Sequence, residues 1–194
     1  MDQSIAILID GGHLRVLARK ASLTYDPKLI EAVAHNCRSD EESIHRVLYY
    51  DCAPYIGKAK LPVSGNLHEF TGSDAWLNEL SRKELFAVRR GVLKFRGWSP
   101  KKVPVSPQSL ADADFTPTFE QKGVDMRIGL DIAVFAQTRA VQRIVLISND
   151  TDCVAALKHA RRAGLQVVLI QLPNAQCAPE LLSHADYHRS VQWP

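Results

Sequence analysis

The chain has 194 residues, 46% of them hydrophobic and 23% charged, and a net charge of +3. That balance excludes a disordered, collagenous or coiled-coil protein and predicts one domain, whose folding buries roughly 70% of the unfolded surface. The apolar run Ile5–Ile9 is far short of the roughly 20 residues of a membrane helix, and Met1–Ser4 place no basic segment before it, so neither a membrane span nor a leader is expected.

Ser4–Asp10 is apolar at nearly every position and closes on an acid before Gly11-Gly12. Continuous rather than alternating apolar character marks a strand buried on both faces of a parallel sheet. His13–Ala21 follows as a helix with Leu14, Leu17, Ala18 and Ala21 on one side. Asp26-Pro27 supplies a cap and a first-turn proline for a helix to about Cys37. His45–Asp51 is the next strand, again closing on an acid. Pro54, Gly57, Pro62 and Gly65 then interrupt the pattern until Ser73, which caps a helix to about Phe86 with Trp76, Leu77 and Leu80 inward. Val88–Phe95 is a strand. Gly97–Gln121 holds Pro100, Pro104, Pro107 and Pro117 with little periodicity and is expected to be a long loop. Residues 52–121 together therefore read as an irregular insertion in a single domain spanning 1–194.

The last third is more regular. Val124–Thr138 is helical, Arg143–Ser148 is a buried strand, Thr151–Ala163 is a helix stopped by Gly164, and Gln166–Leu172 is a final strong strand. Alternating strands and helices predict an α/β fold, a mostly parallel sheet covered on both faces and joined by right-handed crossovers. Ligands on such sheets bind beyond the carboxyl ends of the strands, where the strand order reverses.

Charge is unevenly spread. Arg82–Lys102 holds eight basic residues and one acid, Glu84, a local +7 that leaves −4 for the remainder. Such a strip either faces a polyanion or is a solvated face. Phe86, Phe95 and Trp98, interleaved with Arg89, Arg90, Lys94, Arg96, Lys101 and Lys102, either stack on bases or form the buried side of a strand.

The acids are informative because of where they fall. Asp10 ends the first strand, Asp150 and Asp152 follow a later one, and Asp125 starts a helix whose inward face carries Ile128, Ile132 and Ala136. Each alone could be a helix cap or turn residue. Together on one sheet edge they would repel one another unless a cation sat between them. Hard oxygen ligands of this kind suit Mg²⁺ or Mn²⁺. Asp131, one turn after Arg127, is either its i,i+4 partner or a support for the acidic site. No GxGxxG, GxxxxGK[ST] or GxSxG motif is present. The four cysteines lack CxxC or zinc spacing and read as reduced thiols of a cytoplasmic protein.

Ile7–Gly12, then Gln121–Asp125 with Asp131, then Ser148-Asn149-Asp150-Thr151-Asp152 resemble, in that order, the NYN domain, in its LabA-like branch of the PIN-like ribonuclease superfamily. The resemblance spans roughly residues 3–190 and implies a three-layer α/β/α sandwich, Rossmann-like in plan. It implies that Asp10, Asp125, Asp150 and Asp152 form a catalytic site for Mg²⁺ or Mn²⁺, oriented by Ser148 and Asn149 and supported by Asp131. It further implies hydrolysis of RNA by a metal-activated water. Single-stranded or structured RNA is the expected partner, met by Arg89, Arg90, Lys94, Arg96, Lys101, Lys102 and Lys122. The same residues also fit an RNA-binding regulatory module that cleaves nothing, or a structure-specific DNA nuclease or phosphohydrolase. His13 departs from the Asn that many members carry there. Val191 and Trp193 are expected to form an apolar patch able to support a homo-oligomer.

Overall fold

The computed structural model describes residues 2–105 and 110–194. The apolar run becomes β1 (Gln3–Asp10), in which Ile5, Ala6, Ile7, Leu8 and Ile9 have no exposed surface. Its odd positions join one hydrophobic cluster with Leu14, Ile30, Val33, Leu77 and Leu80, and its even positions join another with Ile128, Ile132, Leu146 and Leu157. Two helical layers thus sandwich the sheet, which is why the strand shows no polar alternation.

The first layer holds α1 (Gly11–Lys20), α2 (Pro27–Asn36) and α3 (Ala75–Ser81), and the second holds α4 (Val124–Thr138), α5 (Val154–Arg162) and the short α6 (Pro179–Leu182). Asp26 accepts a hydrogen bond from Leu29 N at 2.8 Å and Pro27 opens α2, as the sequence predicts. The remaining strands are β2 (Glu42–Cys52), β3 (Gly57–Lys60), β4 (Leu67–Phe70), β5 (Phe86–Pro100), β6 (Phe115–Lys122), β7 (Arg143–Ile147), β8 (Gln166–Gln171) and β9 (Tyr187–Ser190).

Among the described residues the main sheet has seven strands in the order β6-β5-β2-β1-β7-β8-β9. Every pairing is parallel except β5 with β6. The fold is a three-layer α/β/α sandwich on a mostly parallel sheet. From β1 the chain builds outward to β2 and β5, then returns through α4 to place β7 on the other side of β1. The strand order therefore reverses at β1 and β7, whose carboxyl ends carry Asp10 and the Ser148–Asp150 turn.

Four expectations need correction. Residues 97–121 are not a loop throughout, because β5 continues to Pro100 and pairs with β6 as a long antiparallel hairpin. The four residues 106–109 of that stretch, including Pro107, lie outside the described residues. β3 and β4 form a second hairpin, and Tyr55, Phe70, Phe95, Trp98 and Phe119 pack between the two with ring centroids 5.2–6.0 Å apart. Phe95 and Trp98 are thus the inner side of a strand, and Phe86 lies in the main core. The helix after Ser73 stops at Ser81, well short of Phe86, and Thr151–Cys153 form a 3₁₀ turn ahead of α5. Finally, Val191 is 7% exposed and Trp193 packs on the same core cluster, so these side chains are part of the fold rather than a free patch. No helix among the described residues is long and apolar enough to cross a membrane.

Candidate active site

Gly123 sits in the left-handed region, with φ of 77°, and opens α4 so that Asp125 falls in its first turn. Across from it, Asp150 caps the 3₁₀ turn by accepting from Asp152 N at 2.9 Å, which holds the Asp150 carboxylate against the backbone of the turn that carries Asp152. Carboxylate oxygens of Asp125, Asp150 and Asp152 lie within 4.8 Å of one another. Burial raises the pKa of Asp125, and the charges of Asp150, Asp10 and Asp152 push it further in the same direction.

Asp10 stands beside this trio rather than within it. Its Oδ1 accepts from His13 N at 3.1 Å, capping α1, and its Oδ2 accepts from Ser148 Oγ at 3.1 Å. Ser148, 1% exposed, also accepts from Asp150 N at 3.1 Å, so one hydroxyl ties the end of β1 to the acidic turn after β7. The bond at His13 comes from its backbone, which any residue there would supply. Asn149 turns away: its Oδ1 accepts from Ala178 N at 2.6 Å and holds the segment ahead of α6.

Asp131 lies elsewhere and does not pair with Arg127. It accepts from Tyr50 Oη at 2.9 Å and from Arg89 Nε and Nη2 at 2.9 and 3.3 Å, joining α4 to β2 and β5. Arg127 instead folds back to donate to Gly123 O at 2.7 Å. The basic strip is correspondingly divided. Arg89 is engaged with Asp131, and Arg90 binds Asp74 and Asn78 at 2.5 Å each. Arg96 and Lys122 both pair with Glu120. Among the described residues Lys94, Lys101 and Lys102 are exposed and make no ion pair.

A family model described as the NYN domain matches residues 4–192. The chain belongs to the NYN domain family. This is a PIN-like nuclease family, and a cluster of three carboxylates is present at the reversal point of the sheet. The chain is also similar to a solved structure, a protein of unknown function from Vibrio parahaemolyticus. That likeness has a TM-score of 0.55 and 18% identity over 98% of this chain and 93% of the other, and it speaks to the fold. Among curated proteins none matches.

This NYN domain has a further acid that the sequence reading passed over. Asp51, 1% exposed, lies one residue before the end of β2, much as Asp10 ends β1. It forms an ion pair with Arg15 and accepts from Tyr49 Oη at 2.8 Å, Cys52 N at 2.7 Å and Gln121 Nε2 at 3.4 Å. Burial pushes its pKa up, and Arg15 with these hydrogen bonds draws it back. Gly11 is required here because a Cβ would run into the Tyr49 hydroxyl and come within 2.8 Å of Asp51 Oδ2. The signal was available in the strand-closing position that Asp51 shares with Asp10.

Proposed function

We propose that this NYN domain is a metal-dependent ribonuclease of the LabA-like branch that cuts RNA internally, with Asp10, Asp125, Asp150 and Asp152 as its catalytic residues. The observation that carries the reading is the convergence of three carboxylates within 4.8 Å at the carboxyl edge of the sheet, next to Asp10. The donor set fits a hard divalent cation. All its donors are oxygens, and the carboxylates of Asp150, Asp10 and Asp152 crowd that of Asp125, a repulsion that a cation between them would relieve.

Asp125, Asp150 and Asp152 would hold Mg²⁺ or Mn²⁺, with Asp10 contributing from the end of β1. When bound, such an ion polarises the phosphate and acidifies a water at neutral pH. The chain's own part is positional. Ser148 holds Asp10 against Asp150, the Asp150–Asp152 hydrogen bond fixes the turn, and the first turn of α4 carries Asp125 to it. Lys94, Lys101 and Lys102, exposed and without an ion pair among the described residues, are available to meet the RNA backbone. Four free cysteines, three of them buried, suit a reducing compartment, so the cytoplasm is the proposed place of action.

The test is incubation with labelled single-stranded and hairpin RNA in Mg²⁺, Mn²⁺ or EDTA, beside Asp150→Asn. The asparagine keeps the Oδ1 acceptor for Asp152 N, so the fold is expected to survive while metal-dependent cleavage is abolished. RNA binding by both proteins with no cleavage by either would favour a binding module. Turnover of DNA or a small phosphate ester in place of RNA would move the assignment to those substrates.

A further inference from the structure

A pocket of about 410 Å³ opens beside Asp10, lined by Arg15, Tyr25, Asp51, Trp76, Leu93 and Gln121 among others. Its size falls in the range of small-ligand sites. We infer that it is a base-binding subsite that takes a purine, guanine in preference to adenine, from the nucleotide next to the phosphate being cut. Its place in a reaction rests on the nuclease reading above, but its binding does not.

The walls are aromatic and held rigidly. Trp76 of α3 meets Tyr25 edge-on at 6.2 Å and Tyr49 at 6.0 Å. The Tyr25 hydroxyl is fixed by Tyr49 at 2.6 Å and by Gly11 O at 3.1 Å. The Arg15 guanidinium lies 5.5 Å from the Tyr25 ring centre and 5.9 Å from that of Trp76, anchored by its ion pair with Asp51. A purely apolar ligand would make no use of the Arg15 donors and the Gln121 Oε1 that Asp51 leaves free, and an inorganic anion would make no use of the rings. A flat heteroaromatic ring with hydrogen-bonding edges uses both.

The edges select the base. An arginine presents five N–H donors, and Asp51 engages one terminal nitrogen, so the rest of the fork can serve guanine O6 and N7. Adenine offers an amino donor where guanine has O6 and is disfavoured there. Gln121 gives its Nε2 to Asp51, which leaves Oε1 to accept from guanine's N–H groups.

The pocket is also in the right place. A Cβ on Gly12 would stand 3.3 Å from Gln121 Oε1 and 3.4 Å from Asp10 Oδ1. One glycine therefore separates the pocket's polar edge from the first acid of the proposed catalytic site, so a base in the pocket holds its own phosphate near Asp10.

The experiment titrates the full chain, in EDTA, with each of the four ribonucleoside 5′-monophosphates and follows binding calorimetrically. Guanosine monophosphate should bind most tightly. Trp76→Leu should weaken it roughly 5- to 100-fold through lost stacking. Trp76→Phe, which keeps a ring and guards against a folding defect, should stay within about threefold of wild type. Arg15→Lys keeps the charge opposite Asp51 but loses the fork, and should erase the preference for guanine. Equal or no binding of the four nucleotides, or unchanged binding in Trp76→Leu and Arg15→Lys, would overturn the proposal. Mapping cuts on an RNA containing all four bases separates this inference from the nuclease reading. Cuts without base preference would sink the pocket and leave the nuclease, whereas guanosine monophosphate binding without any cleavage would do the reverse.

Discussion

At the residue scale, the question for each cation is which acid already holds it. Arg89 lies in the basic strip, yet its guanidinium makes two hydrogen bonds to Asp131, which in turn binds the buried Tyr50 hydroxyl. Removing it leaves a carboxylate with a single partner between α4 and the sheet. Arg89→Ala is therefore expected to lower stability by about 1–3 kcal/mol, read from denaturant melts, with RNA affinity at a given salt unchanged. Tyr50→Phe removes one hydrogen bond from the same group and should cost about 1 kcal/mol. A marked fall in RNA affinity for Arg89→Ala without loss of stability would return this residue to the RNA-facing surface. None of these pairings could be read from sequence. Asp131 and Arg127 have helical spacing, but Arg89 is 42 positions away and wins because the fold delivers it in fork geometry. Asp10, Asp125, Asp150 and Asp152 were legible because strand ends and a helix start place acids predictably. Asp51 obeyed the same rule and could have been found with them.

At the element scale, the hairpin of β5 and β6 is what the sequence hid. Pro117 reads as a strand breaker, but β6 is an edge strand, where a missing N–H costs no ladder bond, and Pro117 stands opposite Trp98. Nor does the hairpin owe its order to the main core, whose periodicity a sequence reading follows. It rests on aromatic packing against β3 and β4, a contact between two hairpins that no local pattern announces. By contrast α4 is bounded as predicted, since Gly123 and a run of inward residues define it locally. Gly123→Ala forces a side chain into the left-handed region and should cost about 1 kcal/mol or more. Because Asp125 lies two residues on, metal-dependent cleavage should fall more than stability does, which parallel melts and rates would show. The hairpin and the segment that closes it also carry three exposed lysines without an ion pair among the described residues. Replacing Lys94, Lys101 and Lys102 with alanine should reduce the slope of log affinity against log salt for single-stranded RNA by about 2. An unchanged slope would mean that the RNA approaches by another face.

At the scale of the whole molecule, the two ends of the sheet do different work. The carboxyl edge gathers acids that repel one another. The start of β2 gathers opposite charges instead. Glu42 has no exposed surface and accepts from Arg189 at 2.9 Å, from Ser39 N at 2.8 Å and from Arg143, tying β2 to β7 and β9. Burial alone would raise its pKa, but Arg189, Ser39 and Arg143 outweigh it and hold the carboxyl at about 2, below the ordinary 4.5. The folded state therefore prefers the ionised form more than the unfolded chain does. That contribution to stability is complete above about pH 4.5 and is lost as pH falls towards 2. Thermal melts of the wild type should decline across this window, and the decline should be shallower in Glu42→Gln. At neutral pH the same change leaves two arginines facing an uncharged amide and should cost about 3–5 kcal/mol. Glu42 makes no contact with Asp10, Asp125, Asp150 or Asp152, so below the melting range cleavage per folded molecule should match the wild type. A variant that keeps its melting temperature would show that Glu42 does not hold this end of the sheet together, and one that loses cleavage while fully folded would show that the two ends are coupled rather than separate.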